Sequence, residues 1–205
     1  MAQVSNAHGH PVATSPQVAP EASVVATSVR CHRGRMAVQT LPVDVTSTEL
    51  MVWVFERINA HDVASLRAFW TDDTVEYFPD ATCHGADEVV EYFSDKFASI
   101  EGFHLEVVAI AESGDDVLVH WRMTGLHTGT LLGVAGTGKA IELDGIDHFV
   151  LRDGSVVTNT VVFDQMAFAR QVGLMPPDGS AVDKGLKAAF NARTRAVTAL
   201  RRSRR

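Results

Sequence analysis

With 205 residues, 46% of them hydrophobic, the chain can bury one good core, and a second full domain is not expected. Its formal charge of −7 hides a split: Lys184 to Arg205 hold eight basic residues and no acidic one, which leaves 10 basic against 25 acidic residues elsewhere. So acidic a body argues against nucleic acid as the main partner. The two cysteines, Cys31 and Cys83, lie in different regions and outside any CxxC pair, so neither a disulfide framework nor a structural zinc is expected, and a reducing cytoplasm fits. No apolar run approaches the ~18 residues that span a membrane, and the first residues lack the basic start and compact apolar stretch of a secretory signal.

Residues 1–44 are rich in Ala, Val, Ser, Thr and Pro, with Glu21 the single acid before Asp44 and no periodicity, which reads as a disordered extension. Its Arg30, Arg33 and Arg35 are in keeping with an organelle transit peptide, and Met36 offers an alternative start. Order begins where Thr46-Ser47-Thr48-Glu49 forms a capping box ahead of Leu50, Val54, Phe55 and Ile58 at helical spacing. Asp62 can cap a second short helix carrying Val63, Leu66, Phe69 and Trp70, and a strand follows over 74–78. A third helix is expected over 86–99, burying Val89, Val90, Phe93 and Phe97.

Only strands then follow, over 104–112, 117–127, 139–152 and 155–163, with Gly114-Asp115 and Asp153-Gly154 as hairpin turns. Asp164 caps a short helix through Gln171, closed by Gly173. Helices first and long antiparallel strands after them give an α+β fold, a curved sheet wrapped around N-terminal helices with room for a cone-shaped pocket. The last segment, 179–205, sets Leu186, Phe190, Val197 and Leu200 near one side of a basic helix, either solvated or suited to an anionic surface or acidic neighbour.

Within the strand over 139–152, Ile141, Leu143, Gly145, Asp147, Phe149 and Leu151 share one face, which must be buried. A carboxylate there loses hydration, so its pKa rises and it can hold a proton near neutral pH. Asp147 is therefore either a chemical tool or a buried acid satisfied by backbone amides or a nearby Arg.

Asn59-Ala60-His61-Asp62, Phe69-Trp70-Thr71-Asp72-Asp73 and Gly85-Ala86-Asp87-Glu88 resemble the nuclear transport factor 2-like superfamily. His127-Thr128-Gly129-Thr130-Leu131-Leu132-Gly133, Arg152-Asp153-Gly154 and Ala169-Arg170-Gln171-Val172-Gly173-Leu174 resemble its SnoaL-like polyketide cyclase branch, over 45–178. The resemblance implies a small hydrophobic substrate, no cofactor or metal, a homodimer, and cyclisation, isomerisation or dehydration in secondary metabolism. Ile146-Asp147-His148-Phe149 is similar to the ketosteroid isomerase segment that carries a protonated oxyanion acid, a role that would fall to Asp147. The isomerases' base would fall near Tyr77 or Phe78, and their oxyanion tyrosine near Trp53 or Val54. Where SnoaL-like cyclases carry a last-strand aspartate this chain has Val161, and where they carry a histidine it has Asp147. Of the arginine and two aspartates of epoxide hydrolases it keeps Arg122, with Thr124 and Val161 in the other places.

If Arg122 faces the pocket as that likeness implies, parity brings Leu118, His120 and Thr124 with it and leaves Val117, Val119, Trp121 and Met123 for a second layer or a dimer interface; periodicity alone does not choose the face. The same likeness points Asn159, Val161 and Phe163 inward. The expected catalytic set is thus Asp147, His120 and Arg122, with Tyr77, Leu118, Thr124, Asn159, Val161 and Phe163 around the substrate. In that arrangement Asp147 donates a hydrogen bond to an enolate oxygen and His120 moves the proton, unless Arg122 holds Asp147 ionised. The alternative is a non-catalytic small-molecule-binding or scaffold member, for which Val161 is the argument. Asp164 reads as a cap, and Gly136-Thr137-Gly138-Lys139 as a hairpin loop lacking phosphate-loop spacing.

Overall fold

The computed structural model describes residues 38–203. Most of the expected N-terminal extension therefore lies outside the described residues. Helix α1 (Ser47–Asn59) starts on the expected capping box: Thr46 accepts from the Glu49 amide, and Glu49 accepts from the Thr46 amide at 2.9 Å. Its Leu50, Met51, Val54, Phe55 and Ile58 are buried. The second helix is shorter than its apolar spacing suggests, α2 (Val63–Leu66), because Trp70 already opens strand β1 (Trp70–Tyr77). A three-residue strand β2 (Thr82–His84) follows, and then α3 (Gly85–Ser99).

The remaining strands are β3 (Ile100–Ser113), β4 (Asp116–His127), β5 (Lys139–Arg152) and β6 (Ser155–Phe163), and the helices α4 (Gln165–Val172) and α5 (Ala181–Ser203) complete the chain. Asp164 caps α4, accepting from the Met166 and Ala167 amides at 2.9 Å, and Gly173 ends it with the left-handed φ of 86° that only glycine adopts without strain. On α5, Leu186, Phe190 and Val197 are exposed, at the helical spacing expected of them.

All six strands form one curved, unclosed sheet in the order β2-β1-β6-β5-β4-β3. Every pairing is antiparallel except β1 with β6, which is parallel and departs from the all-antiparallel expectation. The concave face holds the core against α1 and α3. On β5 the buried residues are Ile141, Leu143, Gly145, Asp147, Phe149 and Leu151, the face that alternation selects.

On β4 the parity runs opposite to the expected one. Val117, Val119, Trp121 and Met123 are buried, and Leu118, His120, Arg122 and Thr124 lie on the convex face. The reason is apolar area: four hydrophobic side chains on one face outweigh the single leucine that accompanies His120, Arg122 and Thr124 on the other. No described helix is long and apolar enough to cross a membrane.

Candidate functional site

A cavity opens between the concave face of the sheet and the helices. Ile58 comes from α1, Tyr92, Phe93 and Lys96 from α3, Trp121 and Met123 from β4, Leu143 and Asp147 from β5, and Val161 and Phe163 from β6. Phe78 just after β1, and Leu131 and Leu132 in the loop between β4 and β5, complete much of the wall. The wall is almost entirely apolar, with few polar side chains, as small-molecule sites commonly are. Two of those, Tyr92 and Lys96, are engaged with each other and with Asp80. The Tyr92 hydroxyl donates to Asp80 at 3.0 Å, Lys96 Nζ donates to it at 2.8 Å, and the ammonium sits 4.3 Å from the Tyr92 ring centre. Burial and Asp80 together push the Tyr92 phenol far above its ordinary range, so it stays neutral.

The third is Asp147. Its Oδ1 accepts a hydrogen bond from Trp121 Nε1 at 3.0 Å. Burial pushes its pKa up to about 7 against the opposing pull of hydrogen bonds from Trp121 and Asn159.

Asn159 sits behind Asp147 and is 2% exposed. Its side-chain N–H group faces a second buried acid, Glu76, at 3.5 Å from Oε2. Glu76 is 1% exposed, and its Oε1 accepts from Trp70 Nε1 at 2.6 Å, an indole fixed by stacking on Phe93 with ring centres 5.2 Å apart. Burial first, and the charge of Asp147 second, push the Glu76 pKa up to about 8. Asn159 Oδ1 has no hydrogen-bond partner among the described residues. Strand register explains the grouping: Glu76 lies directly opposite Asn159, and Asp147 opposite Val161, two residues further along β6 on the same face.

The expected site residues therefore separate. Asp147, Asn159, Val161 and Phe163 come together on the concave side, three of them on the cavity wall and Asn159 behind it. His120 and Arg122 do not join them. His120 Nε2 lies 3.5 Å from Asp144 Oδ1 on the convex face, and Arg122 pairs with Glu142 at 3.4 Å and Asp144 at 3.3 Å. Leu118 and Thr124 share that face, so all four are corrected with the parity of β4. Tyr77 is 45% exposed and turned away, because Thr74 and Glu76 take the buried positions of β1.

Glu76 is the residue that sequence reasoning missed. Its signal was parity: Glu76 alternates with Val75 and Tyr77 and shares a face with Phe78, which lines the cavity. Among the described residues no group of three His, Cys, Asp or Glu side chains is arranged to hold a metal ion.

A curved sheet with α1 and α3 across its concave face is the ketosteroid isomerase-like arrangement, and solved structures share it. A protein with that fold from Catenulispora acidiphila, solved with trimethylamine, superposes with a TM-score of 0.54 at 15% identity, over 66% of this chain and 99% of the other. A candidate SnoaL-like polyketide cyclase from Jannaschia sp. CCS1 gives 0.58 at 22% identity, over 66% and 100%. AclR from Streptomyces galilaeus, a candidate hydroxylase, gives 0.56 at 22%, over 63% and 96%. At these identities the likeness establishes the fold.

The family model of the SnoaL-like polyketide cyclases matches residues 48–172, and the chain belongs to that family. No curated protein matches it.

Proposed function

We propose that the protein is a cofactor-independent enzyme that transfers protons on a hydrophobic carbonyl compound of polyketide type, with Asp147 as its acid and base. The observation that carries this reading is a buried carboxyl on the wall of an apolar cavity, with a pKa pushed up to about 7. Ionised, Asp147 takes a proton from the carbon next to a carbonyl; the enolate attacks a second carbonyl in the same chain, and Asp147 returns the proton to the new alkoxide. Isomerisation or dehydration needs the same two transfers. With His120 on the convex face, Asp147 performs both. The apolar wall from Phe78, Phe93, Met123, Leu143 and Phe163 suits a greasy, folded substrate rather than a sugar or nucleotide.

The competing reading is a binding protein of the same fold, favoured by Val161 standing where the family's cyclases carry an aspartate. Solvent deuterium exchange separates the two without knowledge of the product. Long-chain 1,3-diketones are incubated with the protein in heavy water, and loss of the central C–H signal is followed by NMR. Catalysed exchange that falls about 10²–10⁴-fold in Asp147→Asn supports the enzyme. Tight binding with no exchange overturns it in favour of the binding protein.

We further infer a cytoplasmic homodimer built on the convex face. Leu118, Ile146 and Val162 are exposed there beside charges of both signs, His120, Arg122, Glu142 and Asp144, so the patch can complement a copy of itself across a two-fold axis. Sedimentation of wild type against Ile146→Lys tests it: a dimer that becomes a monomer is the expected result, and a wild-type monomer is the contrary one.

A further inference from the structure

Glu76 is the second carboxyl of the site, and the cavity does not reach it. Its surroundings can be followed element by element. Trp70 of β1 donates to Oε1; Asn159 of β6 faces Oε2; Cys83 of β2 lies opposite it in register; and Asp147 of β5 and Tyr92 of α3 are near enough to feel its charge. Burial pushes the Cys83 thiol up to about 11, the Tyr92 phenol stays neutral, and the Lys96 ammonium is bound to Asp80. No cation is paired with Glu76 among the described residues. Two carboxyls in such a place resist being ionised together.

Asn159 supplies the second observation: its side-chain amide N–H group faces Glu76 Oε2 at 3.5 Å and also donates to Asp147, so one neutral amide and no cation stands between the two carboxyls. Trp70 holds Oε1 of Glu76, which leaves Oε2 to carry a proton.

We propose that Glu76 is a positioning residue that holds the resident proton of the site: while it is protonated Asp147 alone ionises at the cavity wall, and its deprotonation at alkaline pH slows the reaction. The slowing follows because an enolate would then form beside a fixed negative charge in an apolar cavity. Burial raises both groups, and Glu76, which the cavity does not reach, is raised further by the charge of Asp147 on the wall. The kinetic part of the proposal rests on Asp147 being the acid and base; the resident proton does not.

The two indoles give a test that needs no substrate, because Trp121 donates to Asp147 and Trp70 to Glu76. The indole N–H signals of the full chain are followed by ¹⁵N–¹H NMR from about pH 5 to about pH 9.5, a range that brackets both groups. In wild type the Trp121 signal is expected to move in the lower step and the Trp70 signal in the higher one. Glu76→Gln, a neutral mimic of the protonated acid, is expected to abolish the Trp70 step and keep the Trp121 step. Asp147→Asn is expected to keep the Trp70 step and move it to lower pH. A Trp70 signal that is flat in wild type, or that titrates identically in Asp147→Asn, overturns the proposal, and neither result depends on Glu76→Gln folding.

In the deuterium-exchange assay, wild type should lose rate on the alkaline side relative to its own neutral rate, and Glu76→Gln should lack that loss. An unchanged alkaline limb in Glu76→Gln overturns the kinetic role. Both indole steps present with no exchange at any pH remove the catalytic reading of Asp147 and support the resident proton on Glu76.

Discussion

The indole of Trp121 occupies the space that a side chain at Gly145 would fill: a Cβ built on Gly145 would lie 2.3 Å from two carbons of that ring. The two residues face each other across β4 and β5, and the absent side chain lets the ring lie flat enough for Nε1 to reach Asp147, two residues along the same strand. Gly145→Ala should therefore displace the ring. Overpacking of this kind costs about 1–3 kcal/mol. Because the Trp121 hydrogen bond holds the Asp147 pKa down, its loss should move the Asp147 titration to higher pH. Chemical denaturation and the Trp121 indole signal measure the two effects; an unperturbed indole in Gly145→Ala would show that the ring has room to spare.

The buried acids also fix how stability responds to pH. Both have folded-state pKa values above their ordinary ones, Asp147 from 3.8 to about 7 and Glu76 from 4.5 to about 8. The folded state therefore binds more protons than the unfolded state between these limits, and stability falls as pH rises through them. As far as these groups decide it, resistance to urea should be greatest below about pH 4 and fall by on the order of a few kcal/mol by pH 9. Asp147→Asn and Glu76→Gln should each flatten the decline. A stability that increases from pH 5 to pH 8 in wild type and is unaffected by either substitution would contradict the burial argument.

What the sequence made legible was whatever a local rule governs. The Thr46 to Glu49 capping box, the Asp164 cap and the alternation of β5 each depend on residues within a few positions, and each is found as expected. Asp147 stood out because period two leaves it among Leu143, Phe149 and Leu151. Glu76 did not, because its burial is a long-range matter: it is settled by Trp70, by Asn159 83 residues away, and by a parallel pairing that no local pattern announces. The β4 residues show a different failure. Likeness to epoxide hydrolases argued for an inward Arg122, whereas the hydrophobic character of Val117, Val119, Trp121 and Met123 already pointed the other way. Where an analogy and apolar area disagree about a strand face, area is the stronger guide.

The convex position of His120 and Arg122 has a kinetic consequence. Both side chains are about 40% exposed and, among the described residues, pair with Asp144 and Glu142, themselves exposed; neither lines the cavity. His120→Ala and Arg122→Ala should leave deuterium exchange within about two-fold of wild type and change stability by less than ~1 kcal/mol, as exposed ion pairs do. A large drop in exchange with the fold intact would return His120 to the proton-transfer role that its position denies it.

Substitution at Val161 tests whether Asp147 is the acid and base proposed above. Val161 is the cross-strand partner of Asp147 and lines the cavity. Val161→Asp would put a third carboxyl next to Asp147 and near Glu76, in a wall whose lysine, Lys96, is already bound to Asp80. Burying such a group without a partner costs about 1–3 kcal/mol by mutational measures, and its charge should push the Asp147 titration above its wild-type value. Exchange at neutral pH should consequently fall, because less Asp147 is ionised. Faster exchange in Val161→Asp that persists in Val161→Asp/Asp147→Asn would mean that the last strand is the proper seat of the proton transfer and that Asp147 serves the cavity only as a buried polar wall.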